Sequence, residues 1–402
     1  MPGLEFSIRP RRIGRGAALT LVFAGVLATA AATNALPRED ASPPSGPSRP
    51  SSAAGPSAPG AREAVGHLDR EEVARAAAEA MADGKSGVKA AEEVVSRSGD
   101  RWGAVYDKRE YEEFAKALDG EYTGVGLRAR RTRDGGIEIA KVRPGGPADK
   151  AGVRAGDQLL AVDGRPVAER PVTEVTALLR GGDRTSVALG LERDGRSWTE
   201  TIQRARLTTQ TVTVERTADA YGADGLVRIK VSSFTKGSGE QVRQAVRDAP
   251  EDAGILLDLR GNQGGLVSEA VIAASAFLDG GLVATYDVHG EQRSLYAEHG
   301  GDVDRPLVIL IDGGTMSAAE LLTGALRDRG RAVAVGSQTF GKGSVQMPSE
   351  LPDGSVAELT VGHYRTPAGQ SVDGQGITPD LIATEEAEER ARAVLSGLGG
   401  GS

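Results

Sequence analysis

At 402 residues the chain exceeds what one small core needs and fits two or three domains, since a typical domain takes roughly 100 to 200 residues. The net charge is −8, with +3 in the first fifteen residues and therefore −11 in the rest, and an acidic body of this kind argues against nucleic-acid binding. No cysteine is present, which excludes disulfides, thiolate catalysis and cysteine-based metal sites, and with aromatic residues at only 4 % the cores must be built from Val, Leu, Ile and Ala.

The first predicted element is an export signal. The basic stretch RPRRIGRG runs into AALTLVFAGVLATAAA at 17–32, followed by small residues suited to a signal peptidase. The apolar run is shorter than the ~20 residues that span a bilayer comfortably, so residues 1–36 read as a signal peptide or a membrane anchor, and the folded part as extracytoplasmic, secreted or held at the membrane by this segment. Residues 37–62, rich in Pro, Ser, Gly and Ala without apolar periodicity, read as a disordered linker.

From 63 to 120 the pattern turns helical. HLDREEVARAAAEAMADG opens on an acidic first turn and closes at Gly84, and KREYEEFAKALDG closes at Gly120. Trp102, Tyr106, Tyr111 and Phe114 could stack on a ligand, but in a chain this poor in rings they are better read as the core of this small segment.

Residues 121–205 alternate short strand-like runs (VGLRAR, GIEIAKV, DQLLAVDG, TSVALGLERDG) with Gly-rich turns and one helical run, VTEVTALLRGG. YTGVGL at 122–127 followed by VRPGGPADKAGVRAGDQLLAVDG at 142–164 resembles a PDZ domain. In that fold the loop Gly124, Val125, Gly126 and Leu127 offers backbone N–H groups to a terminal carboxylate while the peptide adds as a strand; Val172, Val175 and Leu179 are the matching candidates to line the groove.

Residues 206–386 read as the last domain, in which, after the strand-like connector QTVTVERT, residues from about 225 to 385 alternate strand and helix: LVRIKVSSF, GEQVRQAVRDA, ILLDLRGNQGG, LVSEAVIAASAFLD, LVATYDV, PLVILIDGG and SAAELLTGALRDRG. ILLDL and PLVILID are apolar nearly throughout, as strands covered on both faces are. Residues 387–402, ending GLGGGS, read as a frayed tail.

Chemistry concentrates at the end of the PLVILIDGG run. Ser317 stands where a buried strand ends, two glycines turn the chain and a helix begins, a position with free N–H groups and the positive end of a helix dipole. Taken alone, Ser317-x-x-Glu320 is better explained as a capping box. A nucleophilic serine needs a base, and none of His67, His289, His299 and His363 lies in a triad or HExxH context. Lys342, between two glycines in TFGKGSVQ, is the alternative; burial would lower its pKa, and Gln346, on the same face of an extended segment, could hold its amine. GSQTFGKG nearly makes a phosphate-binding loop, but Gly343 replaces the required Ser or Thr and no helix follows. Asp258 and Asp312, at strand ends, read as structural pairing or capping.

Taken together, SAAELLTGALRDRGRAVAVGSQTFGKGSVQ, DLRGNQGG at 258–265 and GQGITPDL at 374–381 resemble the C-terminal processing peptidases, over about residues 63 to 385. The resemblance includes the 25 positions between Ser317 and Lys342 and the glutamine four further on; Met316 and Ala319 beside the serine depart from it. It implies Ser317 as nucleophile, Lys342 as general base, Gln346 as its orienting partner, and Gly264 with Ala318 as oxyanion donors. It implies a multidomain mixed α/β (α+β) fold, with a crotonase-like core and an inserted PDZ domain, acting on proteins with exposed C-terminal tails. No metal or organic cofactor is implied, no nucleic acid, a membrane only through an uncleaved leader, and a homo-oligomer is compatible with it. The rival readings are a silent PDZ scaffold on the same tails and a non-peptidase hydrolase.

Overall fold

The computed structural model describes residues 69–132, 135–217, 225–288 and 291–399; the predicted leader and linker, His67 and His289 lie outside them. No helix among the described residues is long and apolar enough to cross a membrane. The described chain divides into residues 121–209 and a second unit of 69–120 with 210–399.

In the first unit, antiparallel strands lie in the order Leu127–Arg131, Ile137–Val142, Gln158–Val162, Ser186–Arg193, Arg196–Gln203. Period-two patterning makes the core: Val187, Leu189 and Leu191 alternate inward and meet Ile139, Leu159 and the helix Val172–Leu179. Buried Asp157 is matched by Arg193, whose Nε lies 2.5 Å and Nη2 2.7 Å from its two oxygens. Leu127–Arg131 is the edge strand, with the helix Val172–Leu179 beside it.

The second unit is built on a six-stranded sheet ordered Val212–Thr217, Leu226–Val231, Gly254–Asp258, Leu307–Ile311, Val333–Gly336, Leu381–Ile382, parallel except for its first strand. Every residue of LVILI is buried because the sheet is covered on both faces. Ile255, Leu257, Ile309 and Ile311 meet the helices Ser238–Arg247, Val267–Ser275 and Ala318–Asp328. Leu256, Val308, Leu310 and Val335, one residue out of phase, face the other way.

That second face is closed by the helix Ala387–Gly399, which stands where a frayed tail is expected. Ala387, Ala391 and Leu395 recur every four residues, lie on one side of the helix and are buried, and Leu395 alone gains roughly 2 kcal/mol by leaving water. Glu388 ties the helix to Arg260 at 3.3 Å and to Arg228 at 3.6 Å.

A second sheet is antiparallel, with Val356–Arg365 paired to Ser344–Glu350, to Leu282–Val288 and to Ala104–Tyr106. The last pairing joins the N-terminal helical segment to the core, setting Ala104 opposite Glu358. Helices Arg70–Ala82 and Lys108–Leu118 stand where periodicity places them. A third, Gly87–Arg97, packs with the first against Leu351, Ala357 and Leu359.

Candidate active site

Ser317 follows the Leu307–Ile311 strand and a turn stapled to the neighbouring loop: Asp312 Oδ1 accepts the N–H groups of Gly314 (2.9 Å) and Gly261 (2.8 Å), and Met316 N–H donates to Asn262 O (2.8 Å). Asp312 thus serves the turn, while Asp258 is buried among Arg228, Arg260 and Lys230, whose cationic groups hold its carboxyl well below the usual carboxylate range against its burial. Neither acts as half of an acid pair, in line with the structural reading of both.

The serine backbone is at φ 55°, ψ −119°, a left-handed conformation that costs a non-glycine residue about 1–3 kcal/mol and persists only where its surroundings hold it. Tyr364 OH donates to Ser317 O (3.0 Å), and Glu320 Oε2 accepts Ser317 N–H (2.9 Å). The capping box expected of Ser317-x-x-Glu320 is present, with the Glu320 carboxylate on the Ser317 N–H and the serine side chain toward Glu320 N–H, although Ser317 lacks the extended backbone of an ordinary N-cap and Glu320 N–H also donates to the serine carbonyl (2.8 Å).

Glu320 does far more than cap. It is fully buried and accepts four hydrogen bonds: Oε1 from Thr339 Oγ1 (2.5 Å) and Gly341 N–H (2.7 Å), Oε2 from Ser317 N–H and Lys342 N–H, both at 2.9 Å. Thr339 Oγ1 in turn accepts Ile377 N–H (2.6 Å), so one carboxylate joins the segments of Ser317, Lys342 and Ile377. Burial pushes its pKa up, and the four donors oppose that by stabilising the anion.

Lys342 is 0 % exposed. Its flanking glycines allow close backbone approach: a Cβ on Gly341 would lie 2.9 Å from Gly376 N, and one on Gly343 2.5 Å from Asp373 N. The strand Ser344–Glu350 follows directly, so the phosphate-loop reading, which needs a helix there, is set aside. Burial is the main influence on the amine and lowers it from 10.5 to about 8, against the carboxyls of Glu358, Asp100, Asp373 and Glu320. Nζ lies 4.9 Å over the Trp102 ring and, among the described residues, has no hydrogen-bond partner. Trp102 also meets Phe340 edge-on at 5.8 Å, so of the four aromatic residues expected to form a small core, Tyr106, Tyr111 and Phe114 do so and Trp102 belongs to this site.

Two expected contacts are not made as drawn. Gln346 is buried and its Nε2 donates to Ser344 Oγ (2.8 Å) and to its cross-strand neighbour Thr360 Oγ1 (3.2 Å), while among the described residues neither its Oε1 nor Lys342 Nζ has a hydrogen-bond partner, so the expected bond between them is not formed. Gly264 lies against Ser317, yet its N–H donates to Asn262 Oδ1 (2.9 Å), because the buried Asn262 amide closes the loop on itself. No bond to Ala318 N–H is present among the described residues, as expected at the first residue of a helix. His363 pairs with Asp373 at 3.6 Å and His299 with Asp279 at 3.0 Å, structural roles both.

A Cβ on Gly264 (φ +94°) would sit 2.9 Å from both Met316 O and Ser317 Cβ. Gly264→Ala should therefore displace the serine and lower kcat by about 10²-fold, a loss typical of disturbing oxyanion or near-attack geometry. Steady-state kinetics beside circular dichroism checks this, and unchanged kcat in a folded variant would refute it.

In the first unit, Val125 O accepts Ala148 N–H (3.0 Å) and Gly126 O accepts Arg143 N–H (2.9 Å), pinning the Gly124–Leu127 loop at the start of the edge strand. Val175 and Leu179 are 0 % and 4 % exposed and belong to the core, because a helix of this length turns its i, i+4 positions toward the sheet. Val172 and Leu127 are half-buried and pack against the margin of that core.

Peptidase family S41 matches residues 225–383 and a PDZ domain matches 138–193. A carboxyl-terminal-processing protease of Synechocystis sp. is 33% identical over 330 residues, 78% of this chain and 77% of that protein. The carboxy-terminal processing protease CtpA of Bacillus subtilis is 32% identical over 289 residues, 71% of this chain and 61% of its own length. A solved S41 protease of Bacteroides fragilis, 18% identical with a TM-score of 0.52, covers 76% of this chain and 88% of its own and shares the fold.

Proposed function

The chain belongs to the carboxyl-terminal-processing proteases of peptidase family S41, and from that premise we propose that it cleaves exported proteins with Ser317 as nucleophile and Lys342 as general base, its PDZ domain holding their C-terminal tails. The observation that carries this reading is the shared Glu320 Oε2, which accepts the backbone N–H of both residues and so fixes their two segments together. The strained serine and the amine lowered to about 8 support it: the first is held for a task, the second is within reach of its neutral form near physiological pH.

In the proposed sequence, Lys342 Nζ leaves the Trp102 face and takes the Ser317 Oγ proton as Oγ attacks the scissile carbonyl. Ala318 N–H steadies the oxyanion, joined by a second N–H from the Gly264 loop once Asn262 yields it. The protonated lysine gives its proton to the leaving amine, and water releases the acyl group. Tail capture by strand addition to Leu127–Arg131 is supported by that strand's position at the sheet edge, with the Gly124–Leu127 loop at its start. Export rests on the sequence of residues 1–36.

The test uses the full chain and an unfolded protein carrying an apolar C-terminus, free or amidated. Wild type should cleave the free-tailed form faster; Ser317→Ala should bind it and leave it intact. Cleavage that survives Ser317→Ala refutes the nucleophile, equal rates on both tails refute the PDZ role, and binding without any cleavage by wild type selects the scaffold.

A further inference from the structure

Glu358 is the most unusual charged residue of the molecule that the mechanism above leaves unused. It is the third residue of the Val356–Arg365 strand, 0 % exposed, and among the described residues neither of its carboxyl oxygens has a hydrogen-bond partner. A buried carboxylate is costly unless something compensates its charge.

The register shows what lies around it. Glu358 stands opposite Pro348 on one side and Ala104 on the other, while Thr360, two residues along on the same face, stands opposite Gln346. Trp102, two residues before Ala104, carries Lys342 Nζ over its ring. Lys342 Nζ and Gln346 Oε1 are likewise unpartnered among the described residues. The register thus sets Glu358 and the Thr360–Gln346 pair on one face, beside the strand whose preceding Trp102 covers Lys342 Nζ, and of these three buried side chains with unmet hydrogen-bonding capacity only Lys342 is cationic.

We infer that Glu358 is the counter-charge of Lys342: inside the compartment walled by Trp102 it holds the lysine as an ammonium ion, and so sets how readily that lysine becomes a base. The inference rests on Lys342 being the base in the reading above. Of the carboxylates acting on Lys342, Glu358 acts most strongly, ahead of Asp100, Asp373 and Glu320. The other charged and titratable neighbours are placed otherwise: Asp100 accepts Thr360 N–H and Oγ1, Asp373 pairs with His363, Glu320 is saturated by four donors, Arg101 lies over Trp102, and Tyr106 and Tyr111 are neutral phenols raised by burial and by Glu358. Burial lifts Glu358 itself to about 7, Lys342 working against that rise. The proton balance is simple: the ammonium releases its proton to solvent, leaving neutral Lys342 beside ionised Glu358. Glu358 is thus a positioning residue that restrains the base without touching substrate.

The experiment is a pH titration of the full chain. Glu358→Gln keeps the shape and removes the charge, so the acid limb of kcat/KM should move about one pH unit to lower pH. In the Ser317→Ala background, where no turnover is needed, the 13C-labelled Lys342 signal, assigned by its loss in Lys342→Met, should show the same displacement. An unmoved midpoint, or one displaced upward, overturns the inference. If Glu358→Gln does not fold, Lys342→Met is titrated instead by infrared spectroscopy of the buried carboxyl, whose midpoint should rise; no change overturns the inference equally. Cleavage that persists in Lys342→Met shows instead that the base is elsewhere, whatever the lysine titration gives.

Discussion

Lys342→Met should lower kcat about 10²- to 10⁴-fold with little change in KM, the range lost when a general base is removed. Methionine fills the buried volume without an amine, so the pocket under Trp102 stays closed and the loss reports chemistry rather than collapse. If Lys342 is the base, wild-type kcat/KM should rise with pH through a midpoint near 8, because an amine base works only when neutral and burial lowers this one to about 8. Below that midpoint the amine is protonated and the rate falls tenfold per pH unit; above it the rate is level. The residual rate of Lys342→Met should lack this rise. A variant that keeps wild-type kcat, or the same midpoint without Lys342, would exclude the lysine as the base.

Much of this was open to a reader of the sequence because local patterns were decisive. The run PLVILIDGG followed by a helical period places Ser317 at a strand-to-helix turn, and the glycines around Lys342 announce a close backbone approach, which Gly376 N and Asp373 N supply. What stayed hidden depends on groups far apart in the chain. Ser317-x-x-Glu320 reads as a cap because two of the partners of Glu320, Gly341 and Lys342, come from more than twenty residues downstream. The positive φ of Ser317 is imposed by Tyr364 and Glu320 and has no sequence mark. Trp102 looks like a core ring, and nothing marks Glu358, until the Ala104–Tyr106 pairing sets Ala104, two residues after Trp102, opposite Glu358. The final helix is hidden for a related reason: its Ala387, Ala391, Leu395 stripe is weak, and its glycine-rich end suggests fraying, until the sheet leaves a face that needs a cover.

Glu320→Gln should cost roughly 4 kcal/mol of stability and, at a temperature where the variant is still folded, about 10²-fold in kcat. The first figure follows from the four donors. An amide keeps one accepting oxygen and turns an NH2 group toward the other pair, so two of the N–H and hydroxyl donors of Ser317, Thr339, Gly341 and Lys342 lose their acceptor in a dry site, each at about 1–3 kcal/mol. The second follows from strain. Once the Ser317 N–H is released, only the bond from Tyr364 OH still opposes relaxation from φ 55° toward an ordinary conformation, a change worth about 1–3 kcal/mol that would swing Oγ away from the position the proposed attack requires. If Glu320 were only a helix cap, its replacement would cost about 1 kcal/mol and leave kcat untouched in the folded fraction. Thermal unfolding followed beside kcat at low temperature separates the two roles: a small loss of stability with unchanged turnover reduces Glu320 to a cap, whereas a joint loss identifies it as the group that keeps nucleophile and base in register.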